Sequence, residues 1–276
     1  NHFDEVTVIA WIKDVCALPA TKIFHNAMYD VCWLKAYGVK INGHIVDTMV
    51  MAALVDENKL LRTQLLVREE AILCGTAWFE QAFKQCDEGI HLDWQAQDGD
   101  RVSAESVVCR ISGPARAILT AERTALNFLQ TLSGTATTTR YYVDKISQTK
   151  CRILDTRKTI PHLRLAQKYA VTCGGGLNHR IGLFDAYLIK ENHLAACGSI
   201  RQAVERGRAL HSDKLLEVEV ETLEQLQQAI EANVDRALID NFSLEEMKQA
   251  VKMTSNQIQL EASGNITDES LFNIAN

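Results

Sequence analysis

The 276-residue chain has little excess charge, no paired-cysteine motif and no long apolar run, and each shortage removes a class of protein. A formal net charge of −6 argues against binding nucleic acid or a membrane surface through bulk positive potential. Any anion must therefore be met by local clusters of cations. The eight cysteines, Cys16, Cys32, Cys74, Cys86, Cys109, Cys151, Cys173 and Cys197, are scattered. With no CxxC pair and no histidine spacing typical of zinc, they read as reduced thiols of a cytosolic protein. No stretch approaches the ~20 apolar residues of a membrane span, and the first residues lack the basic-then-apolar layout of a secretory signal. Internal repeats and low-complexity linkers are missing too. These absences predict a cytoplasmic globular protein, and 47% hydrophobic with 23% charged residues suits one large or two modest cores.

What is present begins at Cys151, where short apolar runs alternate with helical patterns. CRILD (151–155), DAYLIK (185–190), LLEVEV (215–220), RALID (236–240) and IQLEA (258–262) read as strands. Helices are expected near 161–172, 199–210, 223–232 and 244–253, with Thr222 and Ser243 as N-caps. Consecutive βα units of this length predict an α/β fold with parallel strands. Residues 61 to about 147 differ. A strand-like TQLLVREEAILCG, a helix AWFEQAFKQC, turns at 98–100 and 112–114 and a long helix over 115–146 suggest an α+β domain. Gly134 within that helix suggests a kink or close packing. Residues 1–60 form a third piece.

In a βα array the C-terminal ends of the strands share a mouth where binding groups collect. Asp155, Arg157 and Lys158 follow the first strand here, and Lys190, Glu219, Asp240 and Glu261 with Ser263 and Gly264 fall at or near the ends of the others. A guanidinium fork beside a movable ammonium suits a dense anion. Glu219 and Asp240 suit a Mg²⁺, directly or through water, or a ribose diol; alternatively they balance nearby cations. Gly174–Gly176 either offers backbone N–H groups to an oxyanion or forms a plain loop. Ser263 and Gly264 suit a phosphate.

The segments AERTALNFLQTLSGTAT, DTRKTIPHLRLAQKYAV, CGGGLNHRIGLFDAYLIKENH, EVEVETLEQL, IDNF and LEASGNIT closely resemble the quinolinate phosphoribosyltransferase family, from about Leu61 to the last residue. The resemblance implies a type II phosphoribosyltransferase α/β barrel with an N-terminal open sandwich (domains at 61–147 and 148–276), working as a homodimer or hexamer with shared active sites. It implies quinolinate and phosphoribosyl pyrophosphate as substrates, Mg²⁺ as cofactor and nicotinate mononucleotide, pyrophosphate and CO₂ as products. Arg123 would reach the neighbouring subunit's pocket; Thr156, Arg157, Lys158, His179, Arg180 and Lys190, with His193 nearby, would surround quinolinate. Glu219 and Asp240 would face the ribose and Mg²⁺, and Ser263, Gly264 and Asn265 the 5-phosphate. The catalytic group implied is Arg123, Lys158, Lys190, Glu219 and Asp240. Relative to that family the chain is expected to be truncated at both ends, leaving the barrel incomplete.

Residues 1–60 resemble a fragment of the 3′ to 5′ exonuclease domain of family A DNA polymerases. Asn26, Tyr29 and Asp30 of HNAMYD fall on one of its motifs. The family's other carboxylate motifs have no counterpart, and a two-metal nuclease needs several carboxylates, so Asp30 alone builds no such site. Two partial resemblances meeting near residue 60 predict a joined sequence, which sequencing the source gene across codons 55 to 65 checks. The competing readings are a nuclease or DNA-binding fragment, a quinolinate-binding protein without turnover, and a related nicotinate-using enzyme.

Overall fold

The computed structural model describes residues 12–18, 22–24, 40, 45–47 and 59–276. The chain forms two compact units, Asn1–Ser133 and Gly134–Asn276. Among the described residues no helix is long and apolar enough to cross a membrane.

The first unit contains helix α1 (12–17) and the short parallel pair β1 (Lys22–Phe24) and β2 (Ile45–Asp47). Its main sheet is antiparallel, with β7 (Val107–Pro114) between β3 (Leu60–Leu66) and β5 (His91–Trp94). A two-stranded ribbon, β4 (Ala71–Ile72) with β6 (Arg101–Val102), accompanies it. On β7, Val108, Cys109 and Ile111 are buried and the intervening Arg110 is exposed. Helix α2 (Thr76–Cys86) adds Phe79 and Phe83 to the same core, with Trp94 edge-on to Phe79 at 5.3 Å between ring centroids. Asp98 accepts from the backbone N–H groups of Gly75 and Thr76 at 3.0 and 3.1 Å, so a carboxylate satisfies the start of α2 where the helix dipole favours it.

Helix α3 (Ala115–Lys145) runs through Gly134 without interruption. A Cβ added there would meet nothing within 4 Å among the described residues, so the expected close packing is absent.

The second unit is built on four parallel strands, β8 (Ala186–Ile189), β9 (Leu215–Val220), β10 (Arg236–Asp240) and β11 (Gln259–Ser263), adjacent in chain order. Helices α4 (Arg164–Cys173), α5 (Glu191–Cys197), α6 (Ile200–Leu210), α7 (Leu223–Glu231), α8 (Leu244–Thr254) and α9 (Leu271–Ala275) complete it. The two faces of the sheet differ because strand side chains alternate. Leu216, Val218 and Val220 join Ala237 and Ile239 in a core with Ile200, Leu226 and Met247 of the helices. The opposite face carries Glu217, Glu219, Arg236, Asp240, Glu261 and Ser263. Thr222 and Ser243 cap α7 and α8, accepting from the N–H groups of Gln225 and Glu246. Ser243 completes a capping box with Glu246, as the sequence indicates.

CRILD is not a full strand. Only Leu154 makes a bridge, parallel to Leu177, and a strand needs a hydrogen-bonded neighbour along its length.

Candidate active site

The parallel register brings the strand ends to one level. Asp240 lies beside Ser263, Leu238 lies between Glu219 and Glu261, and Ile189 pairs with Val218, which puts Lys190 beside Glu219. The Lys190 ammonium contacts Glu219 Oε2 directly. Asp240 Oδ2 accepts from Asn241 Nδ2 at 2.8 Å. Past β11, Gly264 has φ +81 and Asn265 φ 54, a turn in the left-handed region that glycine and asparagine tolerate. Ser263 and Asp240 thus sit on paired strand ends, with the 264–265 turn immediately beyond.

The cationic side is held by a buried lock. Lys168, 2% exposed on α4, contacts Asp155 Oδ1 and donates to His179 O at 2.8 Å. Asp155 Oδ1 also accepts from His179 N at 2.8 Å. In the amide orientation its neighbours demand, Asn178 Nδ2 donates to Asp155 Oδ2 at 2.7 Å and to Lys168 O at 2.9 Å. A buried carboxylate and ammonium are tolerable only when fully paired like this. The lock joins the segment leading into Thr156–Lys158 to the turn carrying His179 and Arg180. Arg164 ties the same two segments, donating to Arg157 O and Ile181 O at 3.2 Å each. Burial, and next the nearby Arg157 guanidinium, push Arg180 below its ordinary value. Two guanidiniums repelling each other are what an anion site presents before its ligand arrives.

Beneath this lies an inner charge cluster. His179 Nε2 stands 2.7 Å from Glu217 Oε2 and 3.4 Å from Glu261 Oε2, and Arg236 Nη1 approaches Glu261 Oε2 at 3.4 Å and Glu217 Oε2 at 3.9 Å. Facing carboxylate oxygens accept, so Nε2 carries a proton. Burial first, then the Glu217 charge, push Glu261 up to about 7, against the opposing pull of His179 and Arg236. Glu217 is 0% exposed, and its Oε1 has no partner among the described residues. The ligand atoms of His179, Glu217 and Glu261 lie close enough to surround a metal ion, but Arg236 already supplies the compensating charge. The donor set for Mg²⁺ is better met by Glu219 and Asp240. Mg²⁺ keeps several waters and binds through one or two carboxylates plus substrate phosphates, and each of these side chains has one carboxylate oxygen outside its ion pair or hydrogen bond described above.

The second unit thus brings together Arg157, His179, Arg180, Lys190, Glu219, Asp240, Ser263, Gly264 and Asn265. Thr156 and Lys158 are exposed, and Thr156 Oγ1 accepts from Lys158 N at 3.0 Å, shaping the turn after Asp155. His193 is exposed and Nδ1 accepts from Lys190 N at 3.0 Å, closing a capping box at the start of α5. Arg123 belongs to the first unit, exposed on α3. Asn26, Tyr29 and Asp30 lie outside the described residues. Gly174–Gly176 offers nothing to an oxyanion: its three N–H groups bond to Ala170 O, Thr172 O and Val171 O at the end of α4. The run is there for packing, since a Cβ on Gly174 would lie 2.5 Å from Ala136 O and from Thr139 Cβ. Lys168, Glu217 and Arg236 were not singled out from the sequence, although the alternation of LEVEV already puts Glu217 on the face of Glu219.

Comparison with known proteins gives the geometry its context. Residues 48–133 match the family model "Quinolinate phosphoribosyl transferase, N-terminal domain" and residues 135–276 match its C-terminal counterpart. A probable nicotinate-nucleotide pyrophosphorylase [carboxylating] of Bacillus subtilis is 43% identical over 209 residues, covering 75% of this chain and 72% of that protein. The chloroplastic enzyme of that name from Arabidopsis thaliana is 36% identical over 251 residues, 84% of this chain and 71% of its own length. The solved structure of the nicotinate-nucleotide pyrophosphorylase from Francisella tularensis superposes with a TM-score of 0.80 at 49% identity, covering 82% of this chain and 80% of the other. These likenesses bear out the fold class and the phosphoribosyltransferase resemblance read from the sequence, though the N-terminal model begins at residue 48 rather than near Leu61, and they lend no support to the exonuclease resemblance of residues 1–60; with both domain models matching in chain order, the chain belongs to the quinolinate phosphoribosyl transferase family.

Proposed function

We propose that this chain transfers the phosphoribosyl group of phosphoribosyl pyrophosphate to quinolinate, giving nicotinate mononucleotide, pyrophosphate and CO₂, a step of NAD biosynthesis. The observation that carries the reading is one parallel-sheet edge holding Lys190, Glu219, Asp240 and Ser263 in register, beside a loop pair that presents Arg157 and Arg180.

Quinolinate carries two carboxylates, and the guanidiniums of Arg157 and Arg180 are the groups that grip such anions bidentately. Lys158 and Lys190 add movable positive charge, and His179, fixed through Nε2 by Glu217, keeps its ring in one orientation. On the sugar side Glu219 and Asp240 receive the ribose, and Ser263, Gly264 and Asn265 receive the 5-phosphate. Glu219 and Asp240 would also hold a Mg²⁺, which supplies charge neutralisation for the pyrophosphate when bound.

The quinolinate ring nitrogen forms a bond to ribose C1 as the bond from C1 to the pyrophosphate oxygen breaks, its electron pair leaving with that oxygen. Carboxylates placed beside the ribose favour the positive charge that develops there. The ring nitrogen is then cationic. The bond from ring C2 to its carboxylate breaks, CO₂ departs, and the electron pair left at C2 is stabilised by the adjacent nitrogen until C2 takes a proton.

The proposal extends to a homodimer, or a hexamer built from such dimers, in which Arg123 of the partner subunit completes the quinolinate pocket; the exposure of Arg123 on α3 supports this. The test is Mg²⁺-dependent formation of nicotinate mononucleotide by this chain, with quinolinate and nicotinate offered separately. Turnover with quinolinate and not nicotinate is expected, and Arg123→Ala is expected to abolish it. Turnover of nicotinate alone, or none of either, would overturn the proposal.

A further inference from the structure

We propose that Asn241 is a positioning residue that ties the Asp240 carboxylate to the 263–265 turn, so that the two ends of phosphoribosyl pyrophosphate recognition form one preorganised unit. The inference rests on the function proposed above and adds a residue to it.

Asn241 is the first residue after β10 and bonds in three directions. Its Nδ2 donates to Asp240 Oδ2 at 2.8 Å, and its Oδ1 accepts from Asn265 Nδ2 at 2.9 Å. Its backbone N–H donates to Ser263 O at 2.9 Å. The amide orientation is unambiguous, because a flipped Asn241 would aim its oxygen at a carboxylate and its NH₂ at another NH₂. One side chain therefore spans the gap between the β10 and β11 ends and touches residues assigned to the ribose and to the 5-phosphate.

The backbone is arranged for this. Asn241 has φ 59, a conformation that asparagine and glycine tolerate far better than other residues. Gly264 stands where any side chain would intrude: a Cβ built there would lie 2.2 Å from Asn241 Oδ1, 2.6 Å from Asn241 Cγ and 2.9 Å from Asn241 N. The glycine at 264 is thus demanded by Asn241 as well as by its own φ of +81. A hydrogen bond to a charged carboxylate fixes its rotamer more firmly than a neutral one. Asp240 is consequently held in the orientation the turn needs, whether or not substrate is bound.

Two variants test the assignment. Asn241→Gly keeps the left-handed backbone while deleting the amide; Asn241→Asp keeps the size but replaces the donor facing Asp240 with a second carboxylate. The expected result is a KM for phosphoribosyl pyrophosphate raised about tenfold in Asn241→Gly, and further in Asn241→Asp, with the KM for quinolinate changed less than about twofold. Calorimetric titration with phosphoribosyl pyrophosphate alone is expected to show the same loss without turnover. A uniform rise in both KM values, or an unchanged KM for phosphoribosyl pyrophosphate while the wild-type chain turns over, would overturn the assignment and leave the proposed function standing. A wild-type chain that neither binds phosphoribosyl pyrophosphate nor turns over would sink the function and this inference together.

Discussion

Replacing Lys168 with methionine tests whether the buried lock holds the cationic side of the site together. Methionine fills much of the same volume, so the change removes the ammonium and little packing. It leaves the Asp155 carboxylate buried with its counter-charge gone and withdraws the 2.8 Å bond to His179 O. Breaking a buried ion pair by removing one partner costs about 3–5 kcal/mol. Asp155 keeps two N–H donors, His179 N at 2.8 Å and Asn178 Nδ2 at 2.7 Å, which places the expected loss near the low end, about 3 kcal/mol. For a unit of this size that corresponds to a melting temperature lowered by roughly 10 °C. Asp155→Asn combined with Lys168→Met removes the orphaned charge while keeping an acceptor for His179 N, and is expected to recover about 1 kcal/mol. Urea denaturation followed by circular dichroism at pH 7 measures all three variants. A loss below about 1 kcal/mol for Lys168→Met, with no recovery in the double variant, would refute the idea that this pair carries the turn.

Three further outcomes are expected. Glu261 is raised from 4.5 to about 7 by burial and by Glu217, with His179 and Arg236 also facing it and opposing the rise, so the fold holds a proton that the unfolded chain releases. Its contribution is therefore full below about pH 4.5 and fades as pH rises to about 7, and Glu261→Gln should flatten this part of the stability profile. An unchanged slope in that variant would count against it. Arg157→Lys replaces a planar fork with a point charge, and steady-state kinetics should show the quinolinate KM up about tenfold with that for phosphoribosyl pyrophosphate unaffected. Gly174→Ala pushes a methyl group to within 2.5 Å of Ala136 O and should cost about 2 kcal/mol or more in thermal denaturation, with wild-type stability the contrary result.

How far the sequence foretold all this depended on the kind of signal each feature leaves. LLEVEV and RALID match β9 and β10 residue for residue, because alternation bounded by turns is a local property. Thr222 and Ser243 were legible as caps for the same reason. CRILD misled because apolar character alone does not supply a neighbouring strand. The row of Lys190, Glu219, Asp240 and Ser263 was legible once the strands were taken as parallel, since strand ends then share an edge. Lys168 was not. On α4 it lies two residues from both Ala166 and Ala170, off the stripe that helical spacing draws, so it reads as a solvent-facing lysine until Asp155, 13 positions away, is brought to it. Glu217 and Arg236 were missed likewise: alternation gives the face a side chain takes, not the partner it finds there.

The two sides of the site differ in what they are made of, and this bears on how such a protein could change its diet. The residues proposed to receive the sugar phosphate hang from the ends of hydrogen-bonded strands whose other face is the apolar core of the unit. Of the cations proposed to recognise the ring, Arg157, Lys158 and Arg180 ride on connecting segments clamped by Lys168, Asp155 and Asn178, and Lys190 alone stands at a strand end. Substitutions within 156–160 and 178–183 can redraw the outline of the accepted ring without disturbing a strand, whereas substitutions at Glu219 or Asp240 change groups rooted in the sheet itself. A lineage descending from this chain would more readily acquire a new aromatic acid than a new phosphoribosyl donor, and a mutagenic library confined to the clamped segments is the economical place to look for one.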